Sequence, residues 1–147
     1  MTQQAQRQKL PTNWQEREAL RKKGQFWTPH WVAEAMVAYC LADQSESIFD
    51  PAVGAGVFFL AAKEFARKQS RQIHLLGAEV DREVLQQAIS AGLSERDLAL
   101  VEIRDFVLQP PDKRFPAIVA NPPYIRHHRL SQRTKESLRA LSLELIG

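Results

Sequence analysis

Short apolar runs alternate with longer stretches of helical periodicity along the chain, and this alternation predicts strands and helices in turn. The apolar runs are bounded by polar, glycine or proline residues and have the length of buried strands. They predict four strands, at residues 47–50, 74–79, 98–103 and 117–120. The periodic stretches predict five helices, at about residues 12–23, 28–41, 56–68, 81–92 and 131–147.

Polar residues and glycines mark where these helices begin and end. Thr28 followed by Pro29 predicts a helix start, with the threonine hydroxyl as the cap and the proline at the first helical position. Asp81 predicts the cap of a later helix. Residues 1–23 are interpreted as a polar tail and a short helix, and residues 24–147 as one folded domain.

Strands that alternate with helices predict an α/β fold with a parallel sheet and flanking helices. In such sheets, ligands bind outside the carboxyl ends of the strands. Polar residues lie at or just after all four predicted strand ends: Asp50, Glu79, Asp105 and Asn121. We therefore expect the ligand site at this edge of the sheet.

Composition narrows the class of protein. A chain of 147 residues with 44% hydrophobic and 25% charged residues is typical of one soluble globular domain. No apolar run approaches the roughly 18 residues of a membrane span, and residues 1–7 lack the apolar core of a secretion signal. The single Cys40 rules out an internal disulfide, and its apolar helical context predicts a buried structural thiol. We expect a cytoplasmic protein without membrane contact.

The net charge is +3, and the charged residues are distributed unevenly along the chain. Residues 1–40 carry six Lys or Arg against three acids, and residues 121–147 carry five against two. Basic flanks suit a polyanion such as DNA, although a solvated surface carries similar charge. The adjacent His127 and His128 lack the helical spacing of metal ligands, so no metal site is expected.

A glycine turn follows the first predicted strand, with the sequence Asp50-Pro-Ala-Val-Gly54-Ala-Gly56. It lacks the third glycine of the dinucleotide fingerprint, but its glycines allow close backbone approach to a ligand. A purely structural turn is the alternative. Glu79 could accept hydrogen bonds from ribose hydroxyls, as in dinucleotide enzymes, or be a solvated acid at a strand end. Asp105-Phe106 offers an acceptor and a ring for an adenine.

The tetrapeptide Asn121-Pro122-Pro123-Tyr124 follows the fourth predicted strand. The amide oxygen of Asn121 and the carbonyl of Pro122 can each accept a hydrogen bond from an aromatic amine, which makes the amine nitrogen a better nucleophile. The two prolines stiffen the loop, and Tyr124 offers a ring on which a base can stack. With the glycine turn, this tetrapeptide predicts methyl transfer to a planar amine.

These motifs resemble those of the adenine-N6 DNA methyltransferases of restriction-modification systems, in their gamma arrangement. The hexapeptide Gly24-Gln-Phe-Trp-Thr-Pro29 is similar to the N-terminal cofactor motif of that family. The resemblance implies a Rossmann-like methyltransferase fold, S-adenosylmethionine as cofactor, and double-stranded DNA with a flipped adenine as substrate. Val53, Pro116 and Ala120 depart from the Cys, Asp and Gly that are common in the family.

The resemblance also assigns roles to single residues. It implies that Thr28 and Pro29 line the methionine end of the cofactor, with Asp50 near its amino group. Gly54 and Gly56 would form the floor. Glu79 would hold the ribose, and Asp105 and Phe106 the adenine. The remaining residues expected at the cofactor are Phe26, Pro51 and Ala52.

Finally, the family sheet has seven strands, of which this chain would supply the first four in the order 3-2-1-4. We therefore expect an N-terminal fragment without a target-recognition domain, whose partner is the missing C-terminal half or a specificity subunit, and which is inactive alone. Residues 117–120 would then be an exposed apolar edge. Two alternatives stay open: an inactive cofactor-binding remnant or partner subunit, and a methyltransferase of glutamine or RNA amino groups.

Overall fold

The computed structural model of the chain describes residues 28–123 and 130–146. Several predictions lie outside these residues: the helix at 12–23, the domain boundary at 23–24, Phe26, Tyr124, the His127–His128 pair and the helix end at Gly147. Within the described residues, no helix is both long enough and apolar enough to cross a membrane.

Helices and strands alternate along the chain as the hydrophobic pattern predicts. In chain order they are α1 (His30–Cys40), β1 (Ser47–Asp50), α2 (Val57–Lys68), β2 (His74–Glu79), α3 (Val84–Ser90), β3 (Val101–Ile103) and α4 (Gln132–Ile146). β1 and β2 have the predicted bounds.

The three strands form a parallel sheet in the order β1-β2-β3. On the free side of β1, Ile118 forms a parallel bridge with Phe49. The Phe49 N–H donates to the Ala117 carbonyl, and the Val119 N–H donates to the Phe49 carbonyl, both at 2.9 Å. The α/β fold with a parallel sheet and the order 3-2-1-4 are thus confirmed for the part of the chain described.

Two predicted strands are shorter than expected. Residues 98–100 form a turn rather than a strand, because the Leu98 N–H donates to Glu95 and the Val101 N–H to Leu98. These local bonds occupy groups that a strand would use for its ladder. Residues 117–120 form a single bridge at Ile118 instead of a longer strand.

The main core lies between one face of the sheet and the helices α1 and α2. Ile48 and Leu75 point to this face from paired positions on β1 and β2, and Ala117 and Val119 extend it beyond β1. The fully buried ring of Phe59 fills the space opposite them on α2. This packing fixes β1, and with it the residues that follow β1, against a rigid support.

Aromatic rings cover the opposite face of the sheet at β1. The Phe115 ring stacks on the Phe49 ring with 3.8 Å between centroids. The Phe106 ring is tilted against the same side chain at 5.4 Å. The stretch between β3 and the Ile118 bridge therefore folds back over the sheet.

Two helix starts differ from the prediction. Pro29 occupies the N-cap position of α1 instead of the first helical position, and Thr28 does not cap the helix, since α1 has no side-chain cap. α3 begins at Val84, because the Asp81 carboxylate closes a separate turn by accepting from the Glu83 N–H at 3.0 Å.

Cys40, which was predicted to be a buried thiol, contacts Ile118 in the segment 117–120 that was predicted to be an open edge of the sheet. Cys40 is half-buried rather than buried, and its Sγ donates to the Ile118 carbonyl at 3.4 Å. Burial, followed by the charge of Asp43, raises the pKa of the thiol, so Cys40 is a poor nucleophile. The Ile118 side chain remains 50% exposed, while Ala117 and Val119 are buried.

The last helix, α4, begins after Ser131, whose Oγ accepts from the Thr134 N–H at 3.1 Å. No residue of α4 is buried, although its leucines follow a helical spacing. Leu143, Leu145 and Ile146 are among the exposed apolar residues of the protein.

Candidate functional site

The glycine turn between β1 and α2 adopts the backbone that its sequence indicates. Gly54 and Gly56 both have left-handed φ angles, of 54° and 77°. The Val53 N–H donates to the Ala78 carbonyl at 3.1 Å, which ties the turn to β2. Pro51 and Ala52 lie between the strand and this anchor and are half-buried.

The two glycines of the turn have different surroundings. A Cβ on Gly54 would meet only the Ala52 carbonyl, at 3.7 Å, so the space in front of Gly54 is open. A Cβ on Gly56 would come within 2.5 Å of Leu93 and 3.0 Å of Ala88. Gly54 therefore leaves room for a ligand, whereas Gly56 lets α2 begin close to the residues of α3 and its C-terminal turn.

A third glycine, Gly77 in β2, lies directly against the glycine turn. Its contribution to the site was not predicted from the sequence. A Cβ at this position of β2 would clash with Val53 and lie 2.9 Å from the Asp50 carbonyl. The β2 strand can pass under the turn only because residue 77 lacks a side chain. The sequence does contain a signal for this contact, because Gly77 lies inside a predicted strand and such glycines often mark a close backbone approach.

Glu79, at the end of β2, is a buried carboxylate that holds backbone groups. Its Oε2 accepts from the Gly54 N–H at 2.8 Å, and its Oε1 accepts from the N–H groups of Val80 and Asp81 at 2.8 and 3.0 Å. A carboxylate has about four lone-pair sites. These three bonds leave roughly one site for a ligand hydroxyl.

Asp50, at the end of β1, is fully buried. Its Oδ1 accepts from the Ala52 N–H at 3.0 Å, while its Oδ2 has no hydrogen-bond partner among the described residues. Burial raises the pKa of this carboxyl to about 7; the Ala52 bond opposes the shift and the negative charge of Glu79 adds to it. Two neighbouring carboxyl groups, one with an unused oxygen, suit a ligand that carries positive charge.

Asp105 and Phe106 follow β3, as predicted, but both have partners within the protein. The Asp105 Oδ1 accepts from the N–H groups of Val107 and Leu108 at 2.9 and 3.0 Å, which closes a loop. Phe106 rests on Phe49 and is half-buried. The second carboxylate oxygen of Asp105 is the group that a ligand amine could still use.

Asn121 lies two residues beyond the bond from Val119 to Phe49, and Asp50 lies one residue beyond Phe49. The Asn121 side chain is half-buried, and its Nδ2 donates to the Thr28 Oγ1 at 2.8 Å. The structure thus brings the N-terminal motif to the Asn-Pro-Pro segment, across 93 residues of sequence. Pro29, Pro122 and Pro123 are exposed beside this bond.

Two cavities lie away from this edge. One, of about 410 Å³, is lined by residues before β1 and at the start of β2. Its Arg71 already donates to the carbonyls of Leu41 and Ser45, at 3.2 and 2.7 Å. The other, of about 310 Å³, is bordered by the ion pair of Lys63 with Asp97. Because these cations have partners, and parallel sheets bind ligands at their carboxyl ends, we assign the site to the edge with Asp50 and Asn121.

The described residues contain no group of three or more His, Cys, Asp or Glu side chains that could hold a metal ion. A glycine turn, two buried carboxyl groups and an Asn-Pro-Pro segment lie together at the carboxyl edge of the parallel sheet, and α/β domains of this class bind ligands at that edge.

Comparisons with known proteins agree with this class and make it specific. The sequence profile of the N-6 DNA Methylase family matches residues 13–142. The chain is 34% identical over 118 residues to the type II methyltransferase M.XamI of Xanthomonas campestris pv. amaranthicola, a match that covers 76% of the chain. It is 24% identical over 120 residues to the type II methyltransferase M.HincII of Haemophilus influenzae, which covers 82% of the chain.

The chain therefore belongs to the N-6 DNA methylase family, and its recognition from the sequence motifs is confirmed. The methyltransferase subunit of a type I restriction-modification system from Streptococcus thermophilus has the same fold, with a TM-score of 0.54 and 22% identity. That match covers 67% of this chain and 23% of the subunit. The chain spans 21% of the length of both type II methyltransferases.

Proposed function

We propose that this domain binds S-adenosylmethionine and serves methyl transfer to N6 of adenine in DNA, within a restriction-modification system. One observation carries the proposal. The backbone bond from Val119 to Phe49 holds Asn121 at the same edge of the sheet as Asp50 and the glycine turn. This placement supports a single site in which Asn121 would bind the amine and the glycine turn would face the nucleoside.

The chemistry of the site fits this cofactor. Two buried carboxyl groups favour a cationic ligand, and the methionine part of S-adenosylmethionine carries an ammonium group next to a sulfonium. Gly54 lacks a side chain and its surroundings are uncrowded, which would let the nucleoside approach the backbone of the turn. When bound, the cofactor supplies an electrophilic methyl group.

The residues proposed to hold the cofactor are those that the family motifs imply. Asp50 would face the ammonium group, and Glu79 would accept one ribose hydroxyl with its remaining site. Asp105 and Phe106 would hold the adenine. The other proposed contacts are with Phe26, Thr28, Pro29, Pro51, Ala52, Gly54 and Gly56.

At the reacting end, the Asn121 Oδ1 and the Pro122 carbonyl accept one hydrogen bond each from the target amine. These bonds stabilise the positive charge that develops on the amine nitrogen, and the surplus proton leaves to solvent. Acceptors fixed in advance act most strongly, and loss of one such contact typically costs about 2.7–4 kcal/mol of transition-state stabilisation. Pro122 and Pro123 keep the loop rigid, so little order is lost on binding.

The amine of an adenine is hidden inside duplex DNA, so the base must rotate out of the stack. Tyr124 would catch the rotated base by stacking, a contact worth about 1–3 kcal/mol. The side chains that would contact phosphates are those of a basic stretch, Arg126, His127, His128, Arg129, Arg133 and Arg139. We also propose that the protein acts in the cytoplasm.

We propose that a further protein region supplies part of this function. The half-exposed Ile118 borders β1 on its free side, and the chain corresponds to about a fifth of each type II relative. We propose that a C-terminal half or a specificity subunit completes the site and reads the DNA sequence. An inactive cofactor-binding subunit is the second candidate, favoured by the same exposed edge.

A transfer assay with tritiated S-adenosylmethionine tests the proposal. The chain is assayed alone and together with the partner region, on DNA, RNA and a glutamine-containing protein. We expect label in adenine-containing DNA only, and only in the complete assembly. Label in RNA or in glutamine amides would overturn the substrate, and cofactor binding without transfer to any substrate would favour the inactive subunit.

The Asn121→Ala variant tests the reacting end in the same assembly. Transfer should vanish while calorimetry shows cofactor binding within about threefold of the parent, because the lost contact acts on the amine. Gln86→Ala removes an exposed carboxamide from α3 and serves as the matched control. Equal turnover by Asn121→Ala would refute the assignment of the amine acceptor.

A further inference from the structure

A side-chain hydrogen bond joins Thr28 to Asn121 at the candidate site. The Asn121 Nδ2 lies 2.8 Å from the Thr28 Oγ1, and the two residues are 93 positions apart in sequence. Both side chains are half-buried, and the bond joins the segment before α1 to the loop after the Ile118 bridge.

The backbone at Thr28 makes its hydroxyl available for this contact. Pro29 takes the N-cap position of α1, and its carbonyl accepts from the N–H groups of Val32 and Ala33 at 3.0 and 3.1 Å. The helix therefore begins without help from the Thr28 side chain. A residue before proline is also restricted to extended conformations, which limits the directions in which Thr28 can point.

The observed bond occupies the nitrogen end of the Asn121 amide. An amide carries an acceptor oxygen and a donor nitrogen on opposite sides, and rotation by half a turn exchanges them. With Nδ2 directed to Thr28, Oδ1 is left for another partner. The reversed amide would direct Nδ2 at that partner, and a donor cannot accept a hydrogen bond from an amine.

We propose that Thr28 is a positioning residue, which holds the Asn121 amide in the orientation that presents Oδ1 to the target amine. This role rests on the function proposed above and adds a residue that acts through Asn121. It is separate from the contact of Thr28 with the cofactor that the sequence motif implies.

Two substitutions at residue 28 separate the hydroxyl from the shape of the side chain. Thr28→Val keeps the branched shape but removes the hydroxyl, and Thr28→Ser keeps the hydroxyl but removes the methyl group. In an assembly that methylates DNA, Thr28→Val should lower kcat at saturating cofactor about ten- to a hundredfold, as expected for a misplaced reacting group. Thr28→Ser should restore most of that loss.

The separate effects of Thr28→Val on kcat and on cofactor affinity identify how Thr28 acts. An unchanged kcat for Thr28→Val at saturating cofactor would overturn the positioning role, and so would a loss confined to cofactor affinity. A loss that Thr28→Ser does not rescue would also overturn it.

A second measurement on the 147-residue chain does not depend on activity. The sequence contains two asparagines, Asn13 and Asn121, so selective ¹⁵N labelling gives two side-chain amide signals, which Asn121→Ala assigns. Thr28→Val should speed the solvent exchange of the Asn121 amide protons, Thr28→Ser should reverse the change, and the Asn13 signal should not respond.

The two measurements tell the failure of each proposal apart. If the amide signals respond but no assembly methylates an amine, the positioning contact stands and the proposed function fails. If DNA is methylated but neither kcat nor the Asn121 signals respond to Thr28→Val, the function stands and the positioning role fails.

Discussion

Glu79 accepts a hydrogen bond from the Gly54 N–H at 2.8 Å and so ties the end of β2 to the glycine turn after β1. The same carboxylate holds the N–H groups of Val80 and Asp81 with its other oxygen. A residue expected to serve the ligand is therefore also a support for the loop that would surround it.

Glu79→Gln should destabilise the fold. A glutamine has one acceptor oxygen where the carboxylate has two, and its NH₂ group would face a backbone N–H. We expect the free energy of unfolding to fall by about 1–3 kcal/mol, the typical cost of leaving a buried donor without a partner. Urea denaturation measures it, with the exposed Glu83→Gln as control, which should change stability by less than about 0.5 kcal/mol. Equal stability of Glu79→Gln and the parent would contradict the role.

Asp50 should make stability depend on pH. Its pKa is raised from the model-peptide value of 3.8 to about 7 in the fold, because burial disfavours the charged form. Between these values the folded chain holds a proton that the unfolded chain releases. The contribution is therefore fully present below about pH 4, is lost as pH rises, and levels off above about pH 7, with a total on the order of 4 kcal/mol.

Asp50→Asn isolates this contribution because it keeps an oxygen for the Ala52 N–H but cannot ionise. The variant should be more stable than the parent at about pH 8 and should lose part of the pH dependence between about pH 5 and 8. Denaturant unfolding at both pH values measures the difference. Parallel pH profiles for the variant and the parent would show that Asp50 is ionised throughout.

Gly54→Ala and Gly56→Ala should differ in their effects on stability and on cofactor binding. Both place a side chain at a positive φ, which costs about 1–2 kcal/mol. At Gly54 the new methyl group enters open space, so the fold should survive with weakened cofactor binding. At Gly56 it collides with Leu93 and Ala88, so the loss of stability should be larger by about 1–3 kcal/mol. Thermal unfolding and calorimetric titration with S-adenosylmethionine distinguish the two, and equal stability of both variants would count against this division.

Gly77→Ala should disturb the glycine turn although residue 77 lies in a strand. Its φ is ordinary, so the cost comes from the clash of the new Cβ with Val53 and with the Asp50 carbonyl. We expect a loss of about 1–3 kcal/mol in the free energy of unfolding. A Gly77→Ala variant as stable as the parent would refute the close approach of the turn to β2.

The parallel α/β fold was predictable because its determinants are local. The apolar runs of β1 and β2 are buried on both faces and stand out from their polar borders, and Gly54 and Gly56 signal the turn by residue type alone. The family could be recognised for the same reason, since its motifs are short and continuous in sequence. The stretch at 98–100 was assigned wrongly because a turn stabilised by local hydrogen bonds has the same apolar pattern as a strand.

Only the tertiary structure decided which partner each polar group takes. Thr28 has the sequence of a helix cap, yet its hydroxyl binds Asn121 because the chain brings that amide within reach. The Glu79 carboxylate accepts hydrogen bonds from backbone N–H groups, and Asp50 is fully buried away from solvent. Turn and strand preferences depend on the residues themselves, so the local sequence determined the secondary-structure elements. Hydrogen bonding and burial depend on which segments pack together, so the tertiary structure determined the chemistry of the polar side chains.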